Sequence, residues 1–332
     1  MSTFDSVRES IATHAQNTPD YRVPSTAFTV LHDGKISLAD QLFETAAQYH
    51  MTEYARSKML QRLDVPKRGF DKLIDLEGSR DNMLQSIILG YKLHNHYPDL
   101  KWLVRTRQDT VRAFLSDRFQ PFDHMPFMDA LLHPDTGIQT QAQVHRFRIG
   151  EFAEDLYLKL VFPDLTVERN GETYKTGVTY WNGELGNRSI GCAPFIYRLE
   201  CTNDLIVQSE HAIRQTHVGT LRPNIISAIL ADATIRMLEE AISNVDRLED
   251  LRNVPIPNLT KEIAALKNKY RLGEKQLAQV EAFTLEDVRD DPSAFEFVNA
   301  MTRLARQQKT EDARIDLETV AGKELVRLHK RL

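Results

Sequence analysis

The spacing of apolar residues changes period twice along this chain. Between residues 37 and 98 the apolar positions recur at three and four, the signature of helices with one buried stripe. Ser37 reads as an N-cap, followed by Leu38, Leu42 and Ala46, with Phe43 and Ala47 beside them. Thr52 reads as the cap of a second helix carrying Tyr54, Met59, Leu60 and Leu63, which Pro66 and Gly69 end. A third helix starts near Ser79 or Asp81, with Met83, Ile87 and Tyr91 along one side, Leu84 and Ile88 adjacent, and Pro98 closing it.

From residue 101 the period becomes two. Trp102 to Thr106 and Val111 to Leu115 flank Gln108-Asp109 and predict a β-hairpin. A short helix near Pro126 to Leu132 follows. Strands are then predicted over Val144 to Ile149, Leu156 to Phe162, Gly177 to Trp181, Arg188 to Cys192 and Phe195 to Cys201. Asn170-Gly171, Asn182-Gly183 and Asn203-Asp204 mark turns. This is an antiparallel meander, without the strand–helix alternation of a parallel nucleotide-binding sheet. After Pro223 the helical period returns: Ile226, Leu230, Ala233, Met237, Ala241, Val245 and Leu248 make one long amphipathic helix. Pro255 and Pro257 form a linker before further helices. The expected fold is α+β: N-terminal helices, a central antiparallel sheet with a β-hairpin, and a helical C-terminal region. The expected organisation is an arm over residues 1–36, an α+β core over 37–220 and helices over 221–332.

Composition narrows the function classes. The 332 residues hold 42 Lys and Arg against 47 Asp and Glu, a net charge of −5, so any polyanion-binding surface must be local. The two cysteines, Cys192 and Cys201, fit no zinc spacing and no small disulfide framework, and read as reduced, metal-free thiols in a cytoplasmic protein. The N-terminal sequence lacks the basic start and apolar run of a secretory signal, and no stretch is apolar for long enough to span a membrane. There is no Walker loop, no G-x-G-x-x-G, no G-x-S-x-G and no H-E-x-x-H, so no cofactor and no catalytic residue is expected. His94-Asn95-His96 lacks the further ligands that a metal site needs.

The candidate chemistry lies on the hairpin. Pairing about Gln108-Asp109 puts Trp102, Val104 and Thr106 on one apolar face with Val111, Ala113 and Leu115. The other face carries Leu103, Arg105 and Arg107 opposite Arg112, Phe114 and Ser116, with Arg118 beyond. Residues 101–118 hold five basic and two acidic residues. Arg105 and Arg112 would face each other, a repulsion that an intervening anion relieves. The run Val144 to Ile149 adds Arg146 and Arg148 on one face of its strand and Phe147 on the other. Arginine beside exposed aromatic residues on a sheet suits single-stranded nucleic acid, with guanidinium groups on phosphates and rings stacking bases. In the predicted interface Arg105, Arg107, Arg112, Arg146 and Arg148 contact phosphates, Phe114 stacks a base, and Arg118 either joins them or pairs with Asp117 or Asp123. The competing reading has these arginines neutralised by acidic helices of the same chain.

The block from Val104-Arg105 to Ser116-Asp117-Arg118-Phe119-Gln120-Pro121 resembles the most recognisable segment of the phage/plasmid-like family known as domain of unknown function 932. Arg198-Leu199-Glu200-Cys201-Thr202-Asn203-Asp204-Leu205 is similar to its second block, although Asp204 stands where the family usually has glycine. His217-Val218-Gly219, Asn299-Ala300-Met301-Thr302 and Ala321-Gly322 resemble later segments. The resemblance spans roughly residues 37–325 and implies no catalytic residue. It implies a mobile-element context, beside replication or recombination genes. A hairpin and meander followed by a long helix is also similar in layout to the Redβ/RecT-type single-strand annealing fold.

The resulting expectation is an accessory protein of a phage, plasmid or integrated element, binding or annealing single-stranded DNA in the cytoplasm, with no membrane partner. A homo-oligomer is compatible with this expectation. The alternatives are a structural or protein-interaction module acting through the C-terminal helices, and a metal-dependent enzyme acting on nucleic acid.

Overall fold

In the computed structural model, residues 3–16, 18–38, 47–77, 83–199, 203–207, 213–286 and 292–332 are described. The elements run α1 (Phe4–Ala15), β1 (Asp20–Pro24), β2 (Phe28–Val30), β3 (Ile36–Leu38), β4 (Ala47–Met51), α2 (Glu53–Arg62), α3 (Lys67–Glu77), α4 (Met83–Tyr91), β5 (Lys101–Arg107) and β6 (Thr110–Ser116). They continue with α5 (His124–Leu131), α6 (Ile138–Gln141), β7 (Gln143–Ile149), β8 (Asp155–Arg169), β9 (Glu172–Gly183), β10 (Ile190–Arg198), β11 (Asn203–Ile206) and β12 (Arg214–Gln215). The chain closes with α7 (Pro223–Asp250), α8 (Leu259–Tyr270), α9 (Glu274–Glu286), α10 (Ala294–Arg306) and α11 (Glu311–His329). The fold is α+β. One sheet has the order β1-β5-β6-β4-β3-β2, antiparallel except where β4 runs parallel to β6; the other is the antiparallel meander β11-β10-β9-β8-β7, with β12 on β10.

The described residues of the stretch 1–36, read above as an arm, are built into the body. Val7 and Ile11 of α1 pack into the core beneath the meander, and β1 pairs with β5. Ser37 is no helix cap: it lies inside strand β3, opposite Thr29 and Gln48. Leu38 and Ala47, also expected on that helix, lie in β3 and β4, and residues 39–46 fall outside the described residues. Thr52 does cap α2, its side chain accepting from the Ala55 N–H. Pro66, expected as a terminator, instead precedes α3.

The hairpin over residues 101–118 forms, but its register departs from the symmetric one. Trp102 pairs with Ser116, Val104 with Phe114 and Arg105 with Ala113; then Thr106 pairs with Val111, which leaves Arg112 as the extra residue of a bulge. Trp102 and Leu115 are both buried, yet on opposite faces. Trp102, Val104, Val111 and Phe114 join the core around Phe28, while Leu103, Ala113 and Leu115 pack on Phe119 and Leu185.

The meander alternates cleanly. Leu156, Leu158 and Leu160, with Val178, Tyr180 and Cys192, face α5 and the first half of α7. Asn170-Gly171 makes the two-residue β8–β9 turn, both residues at positive φ (51° and 80°). Asn182-Gly183 ends β9 directly before the turn at Glu184-Leu185, and Asn203-Asp204 opens β11. The segments read as two strands around Cys192 and Phe195 form the single strand β10, which passes through Pro194. On the opposite face, Tyr157, Val161, Ala193, Phe195 and Ile206 meet Ile315 of α11.

Candidate nucleic-acid interface

Arg105 and Arg112 are not at the surface. Each side chain is 1% exposed. Both point toward the loop that follows β9, where Arg105 donates to the Glu184 carbonyl (2.7 Å), to Asp20 (3.0 Å) and to Asp123 (2.8 Å). Arg112 pairs with the Glu184 carboxylate (3.0 Å) and donates to the carbonyls of Phe152 (2.9 Å) and Thr106 (3.3 Å). Glu184 accepts in turn from the backbone N–H of His124 (3.0 Å). The repulsion inferred from sequence is relieved by three carboxylates of the chain itself. Burial works against the charge on Arg105, but Asp123 and Asp20 more than offset it and raise its pKa. Burial pushes the His124 imidazole down, so it stays neutral in this cluster.

Phe114 cannot stack a base. Its ring lies edge-on to Trp102 (5.7 Å) and Phe28 (5.6 Å) in the core. Arg146 and Arg148 do share one face of β7, with Phe147 packed on the other side, but acids of α11 cover them. Arg146 pairs with Glu311 (3.1 Å) and Glu318 (2.9 Å), and with Asp204 of β11 (3.1 Å). Arg148 pairs with Asp155 and with Asp312 (2.8 Å). Arg107 is half-buried and donates to the Glu151 carbonyl (2.8 Å). Arg118 is exposed and pairs with neither Asp117 nor Asp123; Asp123 is taken by Arg105. The seven residues do not form one surface.

A different arginine surface exists. A cavity of about 470 Å³ is lined by Arg198 of β10, Arg252 after α7, Arg303 and Arg306 of α10, and the rings of Phe283 and Phe295. A second, of about 280 Å³, adjoins it at Arg306 and adds His145, Arg146, Tyr197 and Arg314. Among the described lining residues one is acidic, Glu296, and it is turned to the Ser293 cap, accepting from that backbone N–H at 2.8 Å. The acids that hold the deeper arginines lie further in. Arg252 is 32% exposed, against 6% for its partner Glu249. Arg314 is 19% exposed, against 1% for Glu318. Glu286, beside Arg303, and Glu311, beside Arg146, sit at the rim. Arg252 lies over the Phe295 ring at 3.4 Å and Arg303 over Phe283 at 4.3 Å, two cation–π contacts that hold these guanidinium groups in place. Burial opposes the charge on Arg252, but its hydrogen bond to Glu249 prevails and raises its pKa.

Arg198 opens the second block of the family resemblance, but the sequence pattern gives it no binding role and does not single out Arg252, Arg303, Arg306 or Arg314. Arg303 and Arg306 carry one local signal, two cations in the last turn of an amphipathic helix; the others come from distant elements. Elsewhere, Cys192 is a buried free thiol whose pKa burial pushes up to about 12, while Cys201 lies outside the described residues. His94 is bound through Nε2 to the Phe28 carbonyl (2.8 Å). Among the described residues no three His, Cys, Asp or Glu side chains converge as metal ligands, and no helix is long and apolar enough to cross a membrane. The chain matches no family model, no curated protein and no solved structure.

Proposed function

We propose that this chain binds single-stranded DNA along the arginine-lined groove between β10 and α10, as an accessory protein of the mobile-element kind that the sequence resemblance implies. One observation carries the reading: among the described residues, two adjoining cavities are lined by six arginines and one carboxylate, Glu296, which is engaged by the Ser293 cap. Arg252 and Arg314, whose acids lie deeper than they do, turn positive charge toward a phosphate. Guanidinium groups held over Phe283 and Phe295 offer flat surfaces for bases.

The test is an anisotropy titration with a labelled oligonucleotide over a salt series. Arg303→Ala with Arg306→Ala should weaken binding and lower the slope of log K against log salt by about 0.7 for each phosphate that is no longer neutralised. Arg107→Ala with Arg118→Ala, on the hairpin side, should leave both unchanged. Absence of binding at about 50 mM salt, where nonspecific contacts are strong, would sink the reading.

A second reading, a protein-interaction module, is favoured by the stripe on α4. Met83, Ile87 and Tyr91, spaced to share a helix face, are 52%, 52% and 57% exposed. If it pairs with a second copy, sedimentation should show a concentration-dependent dimer that Ile87→Asp abolishes.

A further inference from the structure

The outer face of the meander carries a second recess, on the other side of α11 from Arg314. The strand register lines up Arg148, Tyr157, Trp181, Gly191 and Arg214 across five strands, two aromatic residues with an arginine at each end. The next row inward is Arg146, Lys159, Thr179 and Ala193. The central strands carry small side chains, Thr179 and Ala193, where Tyr157 and Trp181 rise beside them and Ile315 and Thr319 of α11 form a roof. The result is a cleft of about 360 Å³, within the size range of small-molecule sites.

Three features of the cleft point to a ligand. Thr179 is fully buried, lines the cleft, and its hydroxyl has no hydrogen-bond partner. A buried hydroxyl left unpaired costs free energy that a bound polar edge would recover. Trp181 is half-buried and lies against Gly191, where a Cβ would come within 2.5 Å of the indole; the glycine leaves the room that the ring occupies. Arg214 is exposed at the rim and has no ion-pair partner among the described residues. Arg188 lines the same cleft over the Tyr157 ring at 4.7 Å, anchored by Asp155 at 2.9 Å. No carboxylate is among the described lining residues.

We propose that this cleft binds a nucleotide, with its heteroaromatic ring against Trp181, a polar ring edge on the Thr179 hydroxyl, and its phosphate on Arg214 and Arg188. An aromatic wall, one buried hydroxyl and two guanidinium groups, Arg214 and Arg188, match the three parts of that ligand. The site is separate from the arginine groove, and the proposal does not rest on the strand-binding reading. The nucleotide is either free or the terminal residue of a strand.

The experiment titrates the full chain with AMP, GMP, CMP and UMP in turn, and with a short oligonucleotide, reading tryptophan fluorescence. The second tryptophan, Trp102, is buried in the other sheet's core, so a saturable change that disappears in Trp181→Phe reports on the cleft. Thr179→Val keeps the side-chain shape and removes the unpaired hydroxyl. It should leave the melting temperature unchanged or higher, yet weaken binding about tenfold, the worth of one buried hydrogen bond. Arg214→Ala should weaken nucleotide binding by a similar factor and leave binding of the matching nucleoside unchanged. Arg303→Ala with Arg306→Ala should have no effect on the monophosphates, so failure of the groove reading leaves this outcome intact. Binding of monophosphates identifies a free nucleotide; binding of the oligonucleotide alone, with the same dependence on Thr179 and Arg214, identifies a strand end. The proposal is overturned if none of the five probes gives a Trp181-dependent signal up to about 10 mM, a limit weaker than typical small-molecule affinities. It is equally overturned if binding is indifferent to both Thr179→Val and Arg214→Ala.

Discussion

Arg105 and Arg112 bring two full charges into the space between the sheets, and the energetics of that choice are asymmetric. A buried pair contributes little net stability, because desolvation consumes most of the Coulombic gain. Removing one partner is costly, because the other is left buried and unpaired. Arg112→Ala would strand the Glu184 carboxylate, which is 8% exposed. We expect a loss of roughly 3–5 kcal/mol, read from urea unfolding, with most of it recovered when Glu184→Gln is added. An unchanged midpoint for Arg112→Ala would mean that the hub does not hold the sheets. The same cluster sets a pH dependence. Burial depresses the pKa of His124 and His217. A histidine with a lowered folded-state pKa takes up protons more readily when unfolded, so stability falls as pH drops below its unfolded value of about 6.5. The carboxyl of Asp204 behaves differently. Burial alone would raise it, but Lys159 and His145 hold it well below the ordinary carboxylate range, so its contribution is lost only below about pH 4. Melting temperature should therefore start to fall between about pH 6.5 and 5, before the carboxylates titrate. A profile flat to about pH 5 would remove the histidines from the argument.

Individual elements were legible in the sequence to the extent that one of their faces meets solvent or a single core. The meander strands alternate, so their faces could be read from Leu156, Leu158 and Leu160 against Tyr157 and Lys159. The hairpin is buried on both faces, so nothing in the pattern marks the extra residue at Arg112, and one bulge moves Phe114 from the presumed outer face into the core. On α4 the stripe was legible but its burial was not: periodicity shows that Met83, Ile87 and Tyr91 share a face, not what covers it. The groove arginines were invisible for a third reason. Arg198, Arg252, Arg303 and Arg314 come from four separate stretches of chain, and only packing brings them together. The contact between α11 and β11 offers a test at this scale. A Cβ on Gly322 would sit 2.0 Å from the Ile206 carbonyl oxygen and 3.0 Å from Val207. In an isolated helix Gly→Ala stabilises by about 1 kcal/mol. Here the backbone would have to separate, and overpacking of that kind costs roughly 1–3 kcal/mol. Gly322→Ala should therefore lower the melting temperature, and a rise would show that α11 does not approach β11 this closely.

At the scale of the whole molecule, the C-terminal helices complete the core. One continuous cluster joins Val167, Tyr174, Ile196 and Leu205 of the meander to Val245 and Leu248 of α7, and to apolar residues of α8, α9, α10 and α11. The outer end of the sheet depends on α11 electrostatically as well. Lys159, 3% exposed, is shared between Asp204 (2.7 Å) and Glu318 (2.5 Å), and Arg146 draws on Glu311 and Glu318. A chain ending at residue 254 would return Tyr174, Ile196, Leu205, Val245 and Leu248 to water at about 1.5–3 kcal/mol each. It would also take Glu318 from Lys159 and both α11 acids from Arg146. The apolar loss alone is comparable to the whole stability of a typical domain, roughly 5–15 kcal/mol. We therefore expect the truncated chain to lack a cooperative thermal transition and to give poorly dispersed amide resonances, while the full chain melts cooperatively and gives well-dispersed ones. A truncated protein that melted cooperatively would make α8 to α11 a separable module. The arginine groove, which needs β10 on one side and α10 on the other, would then have to form across a docking interface and not within a single folded body.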